Sequence, residues 1–133
     1  MDNVISVAAV DRHGALARFS NYGRTSVDLA APGESIYSTW HKSNTSYNTI
    51  SGTSMAAPHV SGVAALLLSQ EPDLTPSEVR QRLIATARPL NSLRGKVVSG
   101  GMVDAAAALR AAPKENLSLE VSISPEPPIQ GEQ

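Results

Sequence analysis

Ile50-Ser51-Gly52-Thr53-Ser54-Met55-Ala56-Ala57-Pro58-His59-Val60 is the stretch that decides the reading of this chain. A Gly-Thr turn delivers Ser54 to the mouth of a helix, which Ala56, Ala57, Val60, Ala64, Ala65 and Leu67 make apolar almost all round and therefore predict to be buried. A serine hydroxyl is a weak nucleophile until a base takes its proton and donors receive the oxyanion. A helix start meets part of the second need, with unpaired N–H groups and the positive end of a dipole held at a fixed position. Ser54 is thus a candidate nucleophile. A serine at a helix start also serves as an N-cap, and Thr53 or Ser54 fits that role too. The Gly-x-Ser-x-Gly elbow fails, because Ala56 stands where its last glycine belongs. His59 is a poor base for Ser54: five residues further on, it lies about 500° round the axis, on the opposite side. It reads as a packed, hydrogen-bonded histidine.

Composition narrows the field. The chain has 133 residues, room for one modest domain or part of a larger one, and a formal charge of −1. Such a balance excludes the electrostatic footprint of a nucleic-acid or anionic-membrane binder. Hydrophobic residues make up 41% but aromatics only 4%, so the core must rest on Ala, Val, Leu and Ile. There is no cysteine, hence no disulfide and no thiolate metal site. No apolar run approaches the roughly 20 residues needed to cross a bilayer, and Met1-Asp2-Asn3 does not open a signal peptide.

Val4 to Val10 reads as a buried strand, and Leu16 to Phe19 as a second, short one. Val27 to Ala31 reads as a strand halted by Pro32-Gly33, and Ser35 to Thr39 alternates like a strand. His41 to Ser46 is a loop, and Tyr47 to Ile50 leads into the serine turn. The helix from Ser54 runs to about Gln70, with Pro58 placed in its first turn, where a missing N–H is tolerated. Thr75-Pro76-Ser77-Glu78 is a capping box opening a helix with Val79, Leu83 and Ala87 along one face and Arg80 and Arg82 toward solvent. Asp104 caps a third helix over Ala105 to Ala112. From 113 to 133 the chain reads as a linker or the first strand of a following domain, Leu117, Leu119, Val121 and Ile123 alternating with polar residues before a proline-rich end.

The eleven-residue serine string resembles the nucleophile motif of the subtilisin-like serine proteases. Phe19-Ser20-Asn21-Tyr22-Gly23, Asp28-Leu29-Ala30-Ala31-Pro32-Gly33 and Gly101-Met102-Val103-Asp104 resemble further landmarks of that family, in the same order. The resemblance implies an α/β fold, a mainly parallel sheet flanked by helices, present here as the carboxy-terminal half only, over residues 1–112. It implies Ser54 as catalytic nucleophile with its N–H as one oxyanion donor, and Gly52 and Thr53 beside the pocket for the substrate side chain before the cut. Met55 would sit next to the nucleophile, and Phe19 and Ile50 on the leaving-group side. The family's triad runs Asp, His, Ser along the chain, with an upstream asparagine completing the oxyanion hole. Only about 50 residues precede Ser54, too few for that amino-terminal half. Asp11, Asp28, His13 and His41 lack the glycine-rich surroundings of the triad partners and read as turn or surface residues. Asp28 resembles a position near a weakly held cation, but one carboxylate does not make a site that needs about 6–8 oxygens, so neither metal nor cofactor is expected.

Three functions are compatible with these residues. The leading one is a serine endopeptidase of the subtilisin type, acting on a peptide or protein substrate and secreted, as the family implies. In isolation the 133 residues are expected to be inactive, because the aspartate, histidine and asparagine are missing. The alternative is a non-catalytic half that docks with the missing half or with itself. A serine esterase is the third, disfavoured by the absent elbow.

Overall fold

The computed structural model describes residues 3–111. The segment 113–133, expected to be a linker or strand, lies outside the described residues. Six strands and three helices run in chain order as β1 (Val7–Val10), β2 (Leu29–Pro32), β3 (Ile36–Thr39), β4 (Tyr47–Ile50), α1 (Thr53–Gln70), α2 (Pro76–Ala85), β5 (Arg88–Pro89), β6 (Gly101–Met102) and α3 (Ala105–Arg110), with a short 3-10 turn at Asn91–Leu93. The main sheet has the order β1-β2-β6-β5. β1 pairs parallel with β2 from Val7↔Leu29 to Val10↔Pro32, β2 pairs parallel with β6, and β5 closes the edge antiparallel. The described residues adopt the expected α/β architecture, but with mixed pairing: β1-β2-β6 is parallel, while β5 and the separate β3–β4 hairpin are antiparallel.

Strand residues alternate between two covers, as the two-residue period of a strand requires. Ala9, Leu29 and Ala31 face α1, meeting Ala56, Val60, Val63 and Leu67, with Val79, Leu83 and Ala108 behind them. Ala8, Val10 and Ala30 face the other way, onto Val27, Leu93 and Val97. Alanines in the strands let α1 lie close to the sheet. The buried stripe of α1 recurs at intervals of four, three and four residues, one face of a helix. Its other faces are open: Ala57 and Ala65 are exposed, and Leu66 and Leu68 are 50% and 38% accessible. An apolar all-round composition therefore does not mean a helix buried all round here. Among the described residues no helix is long and apolar enough to cross a membrane.

Three strands, β4, β5 and β6, escape the sequence reading, and the strand expected over Leu16 to Phe19 shrinks to a bridge. Leu16 contributes a single antiparallel bridge to Val10, while the Ala17 N–H donates to the Ala9 carbonyl at 2.9 Å; the segment clips the edge of β1 instead of forming a strand. Tyr47–Ile50 is a strand, pairing with β3 from Ile36↔Ile50 to Thr39↔Tyr47, and Tyr37 stacks diagonally on Tyr47 with centroids 5.3 Å apart. β6 is two residues long, too short for any periodicity to announce it.

The starts of α2 and α3 are local and agree with the sequence. Thr75 Oγ1 accepts from the Glu78 N–H, and Glu78 Oε2 accepts from the Thr75 N–H at 2.9 Å, with Pro76 opening α2. Asp104 accepts from the Ala107 N–H at 2.9 Å. Thr75→Ala is expected to lower the unfolding free energy by about 1 kcal/mol, and Thr75→Ser to retain most of it, read from urea midpoints. α2 ends at Ala85, so Ala87 lies beyond its apolar face. Pro58 is the sixth residue of α1, in its second turn. It forgoes the bond that an N–H there would give the Ser54 carbonyl.

The charged residues depart most from expectation. Arg82 is 8% exposed: Nη1 donates to Glu71 Oε1 at 2.9 Å and to the Ala108 carbonyl at 3.3 Å, and Nη2 to Glu71 Oε2 at 3.3 Å. One guanidinium thereby joins the end of α1, α2 and α3. Arg80 reaches Asp28 Oδ1 through Nη2 at 2.6 Å and Nε at 3.1 Å, while Asp28 Oδ2 accepts from the Ser6 N–H. Asp28 is 3% exposed, so it is neither a turn nor a surface residue. Its carboxylate is committed to Arg80 and to the amino-terminal side of β1. Asp11 is the turn residue expected: the Ala15 N–H above all, and also the His13 N–H, hold its carboxyl below the ordinary aspartate range.

Candidate functional site

α1 begins where β1 and β2 end. The Gly33 N–H donates to the carbonyl of Val10, the last residue of β1, and the Gly33 carbonyl accepts from the Gly52 N–H at 2.8 Å. The start of α1 is thereby fixed beyond the carboxyl ends of two parallel strands, the usual place for a site in an open α/β sheet. Gly52 is the N-cap and no side chain caps the helix. Neither Thr53 nor Ser54 therefore serves as the cap. Ser54 is the second residue of α1 and exposed, and its hydroxyl makes no hydrogen bond among the described residues.

Ser54 opens on a hollow of about 380 Å³ between the β3–β4 hairpin and the first turns of α1. Ile36, Ile50, Met55, Pro58 and Trp40 form much of its wall, and no carboxylate, lysine or arginine lines it. Met55 lies beside Ser54, and Ile50 lines the same hollow without Phe19, with which the sequence reading groups it. Gly52 and Thr53 are half-buried and immediately precede Ser54, but they do not line this hollow. Phe19 does not join it either. It borders a second hollow with Glu34 and Ser51. Trp40, Tyr37 and Asn48 line the first hollow with no local signal in the sequence to mark them, because only hairpin pairing brings them to the helix.

His59 departs from its reading on two counts. It is exposed, not packed, and it lines the same hollow as Ser54. Its Nδ1 is 2.8 Å from the Met55 carbonyl, a bond within its own helix that requires this nitrogen to carry the proton. No hydrogen bond joins His59 to Ser54 among the described residues. Asp11 and His13 sit in another hollow with Arg12, Glu34 and Ser35, and His41 stacks obliquely on Trp40. The described residues thus supply a candidate nucleophile and a helix N-terminus without an assembled base. Nor do they hold a cluster of three or more residues able to bind a metal ion.

Comparison with known proteins bears on the family and the fold. Residues 1–114 match the model of the Subtilase family. The chain is 54% identical over 85 residues to an extracellular serine proteinase of Thermus sp., covering 64% of this chain and 20% of that protein. It is 52% identical over 89 residues to Subtilisin DY of Bacillus licheniformis, covering 67% and 31%. A solved structure of a protease from Pseudoalteromonas arctica superimposes with a TM-score of 0.70 at 40% identity, covering 80% of this chain and 35% of that one. The chain spans about a fifth to a third of the curated relatives' length. On the family match and the shared fold together, this chain belongs to the subtilase family.

Proposed function

We propose that Ser54 is the nucleophile of a subtilisin-type serine endopeptidase, and that residues 1–112 are the carboxy-terminal part of its catalytic domain. The observation that carries this is the free, exposed Ser54 hydroxyl in the first turn of an α1 whose cap is Gly52. Ser54 Oγ attacks the peptide carbonyl and its own N–H receives the developing oxyanion at the positive end of α1. The C–N bond then breaks, the amine leaves with the proton taken from Ser54, and water hydrolyses the acyl-enzyme to the acid and free Ser54. The backbone of Gly52 and Thr53 borders the substrate side chain before the cut. The proton from Ser54 goes to a histidine that these residues do not supply, so the 133-residue chain alone is inactive. The names of the relatives, extracellular proteases among them, support a secreted polypeptide-cleaving enzyme.

A fluorophosphonate probe tests this. The isolated chain is expected to stay unlabelled. A longer polypeptide carrying the aspartate and histidine motifs upstream is expected to label stoichiometrically at Ser54, and Ser54→Ala to abolish it. A longer polypeptide that cleaves peptides yet labels elsewhere overturns the nucleophile. Labelling of the isolated chain overturns its inactivity and places a base within these residues.

One further reading has its own support. Val4, Leu66 and Leu68 are 51%, 50% and 38% exposed, and β1 is an edge strand whose carboxyl-terminal half alone is covered, by the Leu16–Ala17 clip and Ser20. Exposed apolar surface next to a strand edge favours association, so the isolated chain is also read as a half that docks with a complementary polypeptide or with itself. Sedimentation at low concentration is expected to show oligomers. A compact, cooperatively melting monomer would overturn the docking reading.

A further inference from the structure

Among the described residues Ser35 alone, apart from glycines, has a positive φ, at 56°. For a residue with a side chain this left-handed conformation is costly and persists only where neighbours enforce it. The enforcing contact is visible: the Ser35 N–H donates to Ser51 Oγ at 2.8 Å. The surrounding register explains why a side chain stands in for the backbone. The β3–β4 ladder ends at Ile36↔Ile50, and the next cross-connection is the Gly52 N–H donating to the Gly33 carbonyl at 2.8 Å. Between these two points one side has Glu34 and Ser35, the other only Ser51. The extra residue makes a bulge, a device that re-aims the adjoining chain. The bulged side is Glu34-Ser35, and it is tied across Ser51 and the Gly33–Gly52 bond to the chain that enters Gly52-Thr53-Ser54.

We propose that Ser51 is a positioning residue for Ser54: its hydroxyl holds the left-handed Ser35 and closes a clasp that sets how the chain enters α1. This rests on the reading of Ser54 as nucleophile. The clasp acts through one short backbone path. Ser51 fixes Ser35, the Gly33 carbonyl fixes the Gly52 N–H, and the Gly52 carbonyl accepts from the Met55 N–H at 3.0 Å, closing the first turn around Ser54. No side chain of α1 caps this turn, so the clasp replaces a capping side chain as the constraint on its geometry.

Two measurements test it. In the 133-residue chain, Ser51→Ala is expected to speed amide exchange at Ser35, Gly52 and Met55 by roughly three- to tenfold, the scale of one modest hydrogen bond. The Glu78 amide, held by the distant Thr75 cap, should stay within about twofold. Ser51→Thr, which keeps a hydroxyl, should restore protection, and Ser35→Gly should leave the Gly52 amide as protected as before. An unchanged Gly52 amide in Ser51→Ala, or equal acceleration at Glu78, overturns the clasp. In a longer polypeptide that labels at Ser54, Ser51→Ala should lower the maximal labelling rate by a similar factor without moving the half-saturating probe concentration, and Ser51→Thr should recover it. A change confined to half-saturation overturns the positioning role. Amide exchange does not depend on Ser54 reacting, so failed labelling with altered exchange tells against the nucleophile, and labelling with unaltered exchange tells against the clasp.

Discussion

Arg82→Ala is expected to destabilise the chain by about 3–5 kcal/mol, the scale for breaking one side of a buried ion pair. The guanidinium is almost fully buried and serves two acceptors, the Glu71 carboxylate and the Ala108 carbonyl. Removing it leaves Glu71 at the end of α1 with a charge facing a void and leaves the Ala108 carbonyl without this donor. The loss should therefore exceed that of an exposed pair, which is typically below about 1 kcal/mol. A double change tests the cause. Arg82→Met with Glu71→Leu removes both charges and fills the space, and it is expected to recover most of the loss. Urea unfolding of the parent, Arg82→Ala, Arg82→Met, Glu71→Leu and the double variant measures this. A single-variant cost under about 1 kcal/mol would show that the pair is solvated and does not clamp the three helices.

Gly33→Ala is expected to cost about 3 kcal/mol and to move the start of α1. A methyl group at this position would lie 2.6 Å from Ala9 Cβ, 2.8 Å from the Gly52 carbonyl oxygen and 3.2 Å from Ala56 Cβ. None of these is the end of a flexible side chain, so relief requires α1 to separate from β1. The Gly52 N–H bond to Gly33 is the first connection to lengthen, and Ser54 is two residues beyond it. Urea unfolding measures the stability loss, and amide exchange at Gly52 locates the displacement. Stability within about 0.5 kcal/mol of the parent, with Gly52 protection intact, would mean that the close approach is easily relaxed.

How far each element was legible depended on the reach of the interaction that forms it. The Thr75–Glu78 box and the Asp104 cap are closed within three residues, so residue identity and spacing suffice. β1 and β2 announce themselves as apolar runs because both faces of their sheet are covered. The charge of Arg82 suggests an outer face, and the structure buries it. Helical geometry places it only about 60° from Val79, at the border of the apolar stripe. Its exposure is decided by Glu71 and α3 arriving on that side. Asp28 and Arg80 are 52 residues apart in the chain, and nothing local to either residue names the other.

The sequence alone determined that a serine would stand at the start of a long helix, after a glycine-threonine turn, in an α/β chain of the subtilase type. These are consequences of local backbone preference, helical and strand periodicity, and a specific eleven-residue string. Tertiary structure alone decided that Ser54 is not the cap of its helix, that one face of α1 stays open, and that the hairpin encloses a hollow beside the serine. It also decided that Ser35 is held left-handed by Ser51. The reason is the same in each case: burial, accessibility and hydrogen-bond partnership are properties of pairs distant in sequence. They take definite values only when the sheet register has brought those pairs together.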